Sequence, residues 1–101
     1  MYKVVYLPTA RQQLEDAVMD IAVDLCAPDA ALNLADEVDE AAQKLKEMPY
    51  RFPIYHTLYA MKHEIRFFPA KNYNVYYVID EDTKTVEIWR ILHRLQKQER
   101  R

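Results

Sequence analysis

Arg90, His93 and Arg94 close the stretch "NYNVYYVIDEDTKTVEIWRILHR" that begins at Asn72, so two guanidiniums and an imidazole fall within five residues. An imidazole changes charge near neutral pH and can pass a proton; a guanidinium is always cationic and grips carboxylates and phosphates with a planar fork of N–H groups. More cations and aromatics share this half of the chain: Lys62, His63, Arg66, Lys71, Tyr73, Tyr76 and Tyr77. His93, at a strand end, is either a general base or a cap on the sheet. Arg90 is either a binding residue or the ion-pair partner of Glu64 or Glu87.

Other chemistries find little support. His56, His63 and His93 are widely spaced and Cys26 has no companion at ligand spacing, so no metal site is expected. With no glycine there is no glycine-rich phosphate loop, and with no serine, and a cysteine expected to pack as a small apolar residue, nucleophilic catalysis has no obvious agent. No cofactor is expected.

These side chains need elements to carry them. "YKVVYL", closed by Pro8, reads as a strand, and Thr9 is the expected N-cap of the helix after it. There Leu14, Ala17, Val18, Ile21 and Leu25 recur at intervals of three and four. Pro28 and Asp29 suit the first turn of a second helix, whose stripe Ala31, Leu34, Val38, Ala41, Leu45 and Met48 runs to Pro49. The two should form an antiparallel hairpin. Residues 49–63 read as a connector across the edge or face of a sheet. "HEIRFF", "NYNVYYVID" and "KTVEIWRILH" read as three further strands, the last two joined by the polar turn "DEDT", and Asn72 is the expected positive-φ residue before the third strand. Simple alternation in the last strand puts Val86, Ile88, Arg90 and Leu92 on one face and Glu87, Trp89, Ile91 and His93 on the other. The order βααβββ predicts one α+β domain over residues 1–101, a helical hairpin on one face of a small, largely antiparallel four-stranded sheet, with a basic tail from about residue 94.

At 101 residues the chain can bury one modest core. The N-terminus lacks the basic and long apolar segments of a secretory signal and the single cysteine forms no internal disulfide, so a cytoplasmic location is expected. The longest apolar run, "VYYVI", is far too short to cross a bilayer. The net charge of −2 hides a division. Residues 1–49 carry four Lys or Arg against ten Asp or Glu, a net of −6, and residues 50–101 carry ten against six, a net of +4. One surface should therefore suit an anionic partner.

The order βααβββ, together with "ARQQLEDAVMDIA", "PDAALNLADEVDEAAQKLKEMP", "EIRFF", the tyrosine strand with "VEIWRILHR" and the basic tail, resembles the RelE/ParE family of bacterial type II toxins over nearly the whole chain. The resemblance implies a cytoplasmic toxin held by a cognate antitoxin, with no membrane partner and no sequence-specific nucleic-acid binding by the toxin alone. RelE-like members cleave mRNA on the ribosome; ParE-like members inhibit DNA gyrase. The nuclease branch usually has an arginine after the tyrosine of the third strand, where this chain has Asn74, and an amide cannot neutralise a phosphorane as a guanidinium does.

The ParE branch is therefore favoured, with Arg66, Tyr73, Arg90, His93 and the tail from Arg94 to Arg101 as the surface for target or antitoxin. The alternative is a ribosome-dependent endoribonuclease with His93 as acid or base and Arg66, Lys71 and Arg94 on phosphate. A third reading is an inactive toxin fold that binds antitoxin and co-represses their operon.

Overall fold

The computed structural model describes residues 1–55 and 63–95. A short strand, β1 (Lys3–Tyr6), leads into α1 (Pro8–Met19), which continues through a π-helical turn (Asp20–Asp24) before α2 (Pro28–Leu45). A 3-10 turn (Pro49–Arg51) follows, then β2 (Ile65–Ala70), β3 (Tyr73–Asp80) and β4 (Thr85–His93). The sheet runs β1-β4-β3-β2. Its β2–β3 and β3–β4 pairs are antiparallel, while β1 lies parallel to β4, so the sheet is mixed. The α+β order βααβββ is as the sequence predicts.

Leu14, Ala17, Leu34, Val38 and Leu45 from the helices pack against Phe68, Val75, Tyr77, Val86, Ile88 and Ile91 from the sheet in one core. The helical stripes depart from expectation in two places. The π turn inserts an extra residue into its helical turn, which rotates whatever follows, so Leu25 leaves the buried face and is 70% exposed. In α2 the helix stops at Leu45, three residues before Met48, so Met48 lies outside the stripe and is mostly exposed, while Ala42 rather than Ala41 is fully buried.

Local turn chemistry also differs. Pro8 occupies the first helical turn and Leu7, not Thr9, is the N-cap, with no side-chain hydrogen bond. The left-handed residue before β3 is Lys71 (φ 57°) rather than Asn72. Ala70 pairs with Tyr73, which leaves a two-residue turn whose first position must take positive φ. The β3–β4 turn spans Glu81 to Lys84. It is organised by the Asp80 carboxylate, which accepts the N–H groups of Asp82 (3.0 Å) and Thr83 (3.3 Å).

The connector does lie along the sheet's edge as far as it is described. Ile54 bridges to Arg66, Tyr55 N–H donates to the Ile65 carbonyl, and Phe67 N–H donates to that of Pro53. These bonds cover the outer edge of β2, and at Pro69 the strand has no outward N–H left to offer.

Candidate functional site

A bulge in β4 decides where its cations go. Tyr77 pairs with Ile88 but Tyr76 pairs with Arg90, so Trp89 is an extra residue against β3. The alternation expected along β4 is broken there, and Ile88 and Ile91, three residues apart, both point into the core. Arg90 and Leu92, paired with Tyr76 and Asn74, lie on the face away from the helices, while His93, paired with Tyr73, shares the helix side with Ile91. Arg90 and His93 therefore do not form one site. The ion pairs expected for Arg90 are not made: Glu64 binds Arg66, and Glu87 accepts the Trp89 indole N–H at 3.1 Å.

His93, Arg94, Asn72 and Tyr73 gather at the end of the sheet where the β2–β3 turn meets the end of β4. Arg94 N–H donates to the Asn72 carbonyl at 2.8 Å, and the His93 and Tyr73 rings meet edge to face at 5.1 Å. Leu95 N–H donates to His93 Nδ1 at 3.1 Å. With Nδ1 accepting, the neutral imidazole carries its proton on Nε2, which makes that nitrogen a donor. Lys71 is nearby in sequence but committed elsewhere: its backbone N–H (3.1 Å) and its ammonium (3.6 Å) both meet the Glu37 carboxylate on α2.

Beside this end lies an open cleft of about 500 Å³, formed because β1 is short. β1 ends at Tyr6 and the last bond of the ladder runs from Leu7 N–H to the Ile88 carbonyl, so among the described residues no strand pairs with the rest of β4 on that side. The Gln13 side chain of α1 takes over there and accepts Ile91 N–H at 2.8 Å. Asp16 and Asp20 on the α1 side and Tyr73, Ile91 and His93 on the sheet side line the gap. Burial first, and then the charge of Asp20, push the Tyr73 hydroxyl above its ordinary pKa.

Arg66 stands apart from this end. It pairs with Tyr77, four residues along β3 from Tyr73, which is roughly 13 Å at strand rise. Its guanidinium donates to the Phe52 carbonyl at 2.7 Å, binds Glu64 at 3.0 Å and lies 5.1 Å from the centre of the Tyr50 ring. Its side chain is 15% exposed. Tyr77, fully buried, donates its hydroxyl to the Pro49 carbonyl at 2.7 Å, and burial pushes its pKa up to about 12. Asn74, on the outer face, is 3.4 Å from the Tyr76 hydroxyl. His56, Lys62 and the tail beyond Leu95 lie outside the described residues.

Of the residues singled out in the sequence, the structure thus joins Tyr73, His93 and Arg94 and separates them from Arg66, Arg90 and the Lys71 ammonium. The residues missed were Asp16, Asp20 and Gln13. Their only sequence signal was a place on the polar face of α1, which any solvated helix shares. Among the described residues no three His, Cys, Asp or Glu side chains converge as a metal ion would need, and no helix is long and apolar enough to cross a membrane.

A helical hairpin over one face of a four-stranded mixed sheet is also the fold of several solved toxin–antitoxin proteins. A chain of the chromosomal ParDE TA system from P. aeruginosa superposes with a TM-score of 0.69 at 16% identity, covering 92% of this chain and 96% of its own. A chain of the toxin-antitoxin complex RelBE2 from Mycobacterium tuberculosis has a TM-score of 0.61 at 24% identity, with 91% and 96% covered. A chain of the archaeal RelE-RelB complex from Pyrococcus horikoshii OT3 has a TM-score of 0.63 at 15% identity, with 95% and 98% covered. No match was found among curated proteins. The family model described as ParE toxin of type II toxin-antitoxin system, parDE, matches residues 4–98, and the chain belongs to that family.

Proposed function

We propose that this ParE-family toxin arrests growth in the cytoplasm by binding a target, DNA gyrase, rather than by cutting RNA, and that a cognate antitoxin neutralises it. The observation that carries the reading is that, among the described residues, two of the three cations a nuclease would need, Arg66 and Lys71, do not converge on His93. Arg66 is held at the other end of the sheet by the Phe52 carbonyl and Glu64, and Lys71 by Glu37. Asn74 and Arg90 stand on the opposite face from His93. Phosphoryl transfer draws on donors preplaced around one phosphorus, and His93 Nδ1 is already engaged as the acceptor of Leu95 N–H. Arg90 and Arg94 are exposed and offer anion-binding forks to a partner surface. The ParDE and RelBE neighbours come from systems named for two proteins, which supports an antitoxin as partner.

The ribosome-dependent nuclease reading keeps one observation in its favour, the adjacency of His93 and exposed Arg94 at the end of β4. Induced expression tests the two. Inhibition of gyrase supercoiling with no new 5′ ends on translated messages is the expected result. Strong cleavage of translated mRNA that disappears in His93→Ala, with supercoiling untouched, would establish the nuclease instead. Neither activity, with antitoxin binding retained, would leave the co-repressor.

A further inference from the structure

The cleft beside His93 has the opposite sign to the cationic strand end next to it. Asp16 on α1, which accepts the Gln12 side-chain amide at 2.9 Å, and Asp20 in the π turn line it, and the ion pairs among the described residues, Arg66–Glu64, Lys71–Glu37 and Lys84–Glu81, involve neither. The last turn of α1 and the π turn beyond it contain no basic residue. The carbonyl end of a helix already carries negative partial charge, so carboxylates there cost the isolated protein stability instead of adding to it. Asp20 opens the π turn, which widens the helix at the rim of the cleft. The sheet side presents the crossed rings of Tyr73 and His93, with Ile91 beside them.

Two carboxylates, two aromatic rings and an open volume of about 500 Å³ are more than a hydrated metal ion would use, and they suit a flat organic cation. A guanidinium sheds water readily, stacks against aromatic rings and donates to carboxylates through its fork, whereas an ammonium satisfies the charge but not the shape. We propose that this cleft receives an arginine side chain from a partner polypeptide, its guanidinium donating to Asp16 and Asp20 and its stem lying along Tyr73. The site is separate from the Arg90 surface and independent of whether the toxin acts on gyrase. It predicts that a protein partner of this chain brings a basic residue to the helix side of the sheet.

The test uses the full chain, ¹⁵N-labelled, titrated with a neutral-ended peptide that holds one arginine among alanines and serines. Peptides with citrulline, lysine or glutamate in the same place are the comparisons. Saturable shifts at Asp16, Asp20, Tyr73 and His93 are expected with arginine, weaker ones with lysine, and none with citrulline or glutamate. Asp16→Asn and Asp20→Asn should each weaken arginine binding roughly three- to tenfold. Asp20→Asn should also raise the melting temperature, since it removes a charge the isolated fold does not pair, so loss of binding will not be mistaken for unfolding. Equal binding of citrulline and arginine, shifts centred elsewhere, no saturable binding, or unchanged affinity in both Asn variants would each overturn the proposal.

Discussion

Replacing Arg66 with alanine separates a residue that meets a partner from one that holds the fold. The guanidinium ties β2 to the segment that covers its edge, through 2.7 Å to the Phe52 carbonyl and 3.0 Å to Glu64, with the Tyr50 ring 5.1 Å away. A hydrogen bond from a charged donor contributes about 1.5–3 kcal/mol when partly buried. The Glu64 pair adds at most ~1 kcal/mol, because that carboxylate is 56% exposed and screened by solvent. The contact over Tyr50, itself half exposed, adds about 0.5 kcal/mol. These terms share one side chain and do not sum independently, so Arg66→Ala should cost about 2–3 kcal/mol.

Urea unfolding followed by circular dichroism measures this directly. With a slope of about 1.5 kcal/mol per molar for a domain of this size, the midpoint should fall by about 1.3–2 M. Arg66→Lys keeps the charge and loses the fork, and should recover part of the loss. Arg94→Glu, in the exposed turn after β4, should stay within about 0.5 kcal/mol of the parent. If Arg66→Ala unfolds at the parental midpoint yet loses affinity for gyrase or for an antitoxin, the edge-clamp argument fails and Arg66 belongs to the binding surface.

Two further outcomes follow from the other end of the hairpin and from the bulge. The Glu81 carboxylate accepts from Lys84, Tyr50 and Tyr2, and these bonds hold its pKa down to about 2 from 4.5; the stability this adds is present above about pH 4.5 and is lost as pH falls toward 2, so Glu81→Gln should flatten that limb of a urea-midpoint-against-pH curve. An unaltered limb in Glu81→Gln would refute the assignment. Deleting Trp89 removes the residue that β3 does not pair and leaves both halves of β4 in register, so that variant should fold with a native-like spectrum, whereas deleting Ile88 or Ile91 should not; equal tolerance of all three deletions would refute the register.

Element types and order were legible because periodicity is a local property: the helical stripes and β-rich runs are set by each segment's own apolar positions. What was not legible depends on a neighbour. Nothing within "VEIWRILH" marks Trp89 as the extra residue, because a bulge exists only relative to the strand opposite, and one unpaired residue inverts the face of everything beyond it. The π turn that exposes Leu25, and the early end of α2 that exposes Met48, are likewise settled by packing of the hairpin. Parallel pairing of β1 with β4 joins the two ends of the chain, a contact that no window of sequence contains.

The same distinction explains how much of the candidate site could be read in advance. Composition located the cations in the second half of the chain, but their grouping depends on strand register and on which carboxylates reach them. Register divides Arg90 from His93 across the sheet, strand rise divides Arg66 from Tyr73 along it, and Glu37, from the acidic half, claims Lys71. The short β1 then does what no cation count could suggest. By ending at Tyr6 it leaves the last residues of β4 to α1, whose polar face supplies Gln13 to the orphaned Ile91 N–H and brings Asp16 and Asp20 to the rim. One end of the sheet thus carries two signs, exposed Arg94 in the turn and the acidic cleft that its neighbour His93 lines. A partner that engages both must carry charges of both signs at matching spacing, which selects against a uniformly acidic or uniformly basic surface.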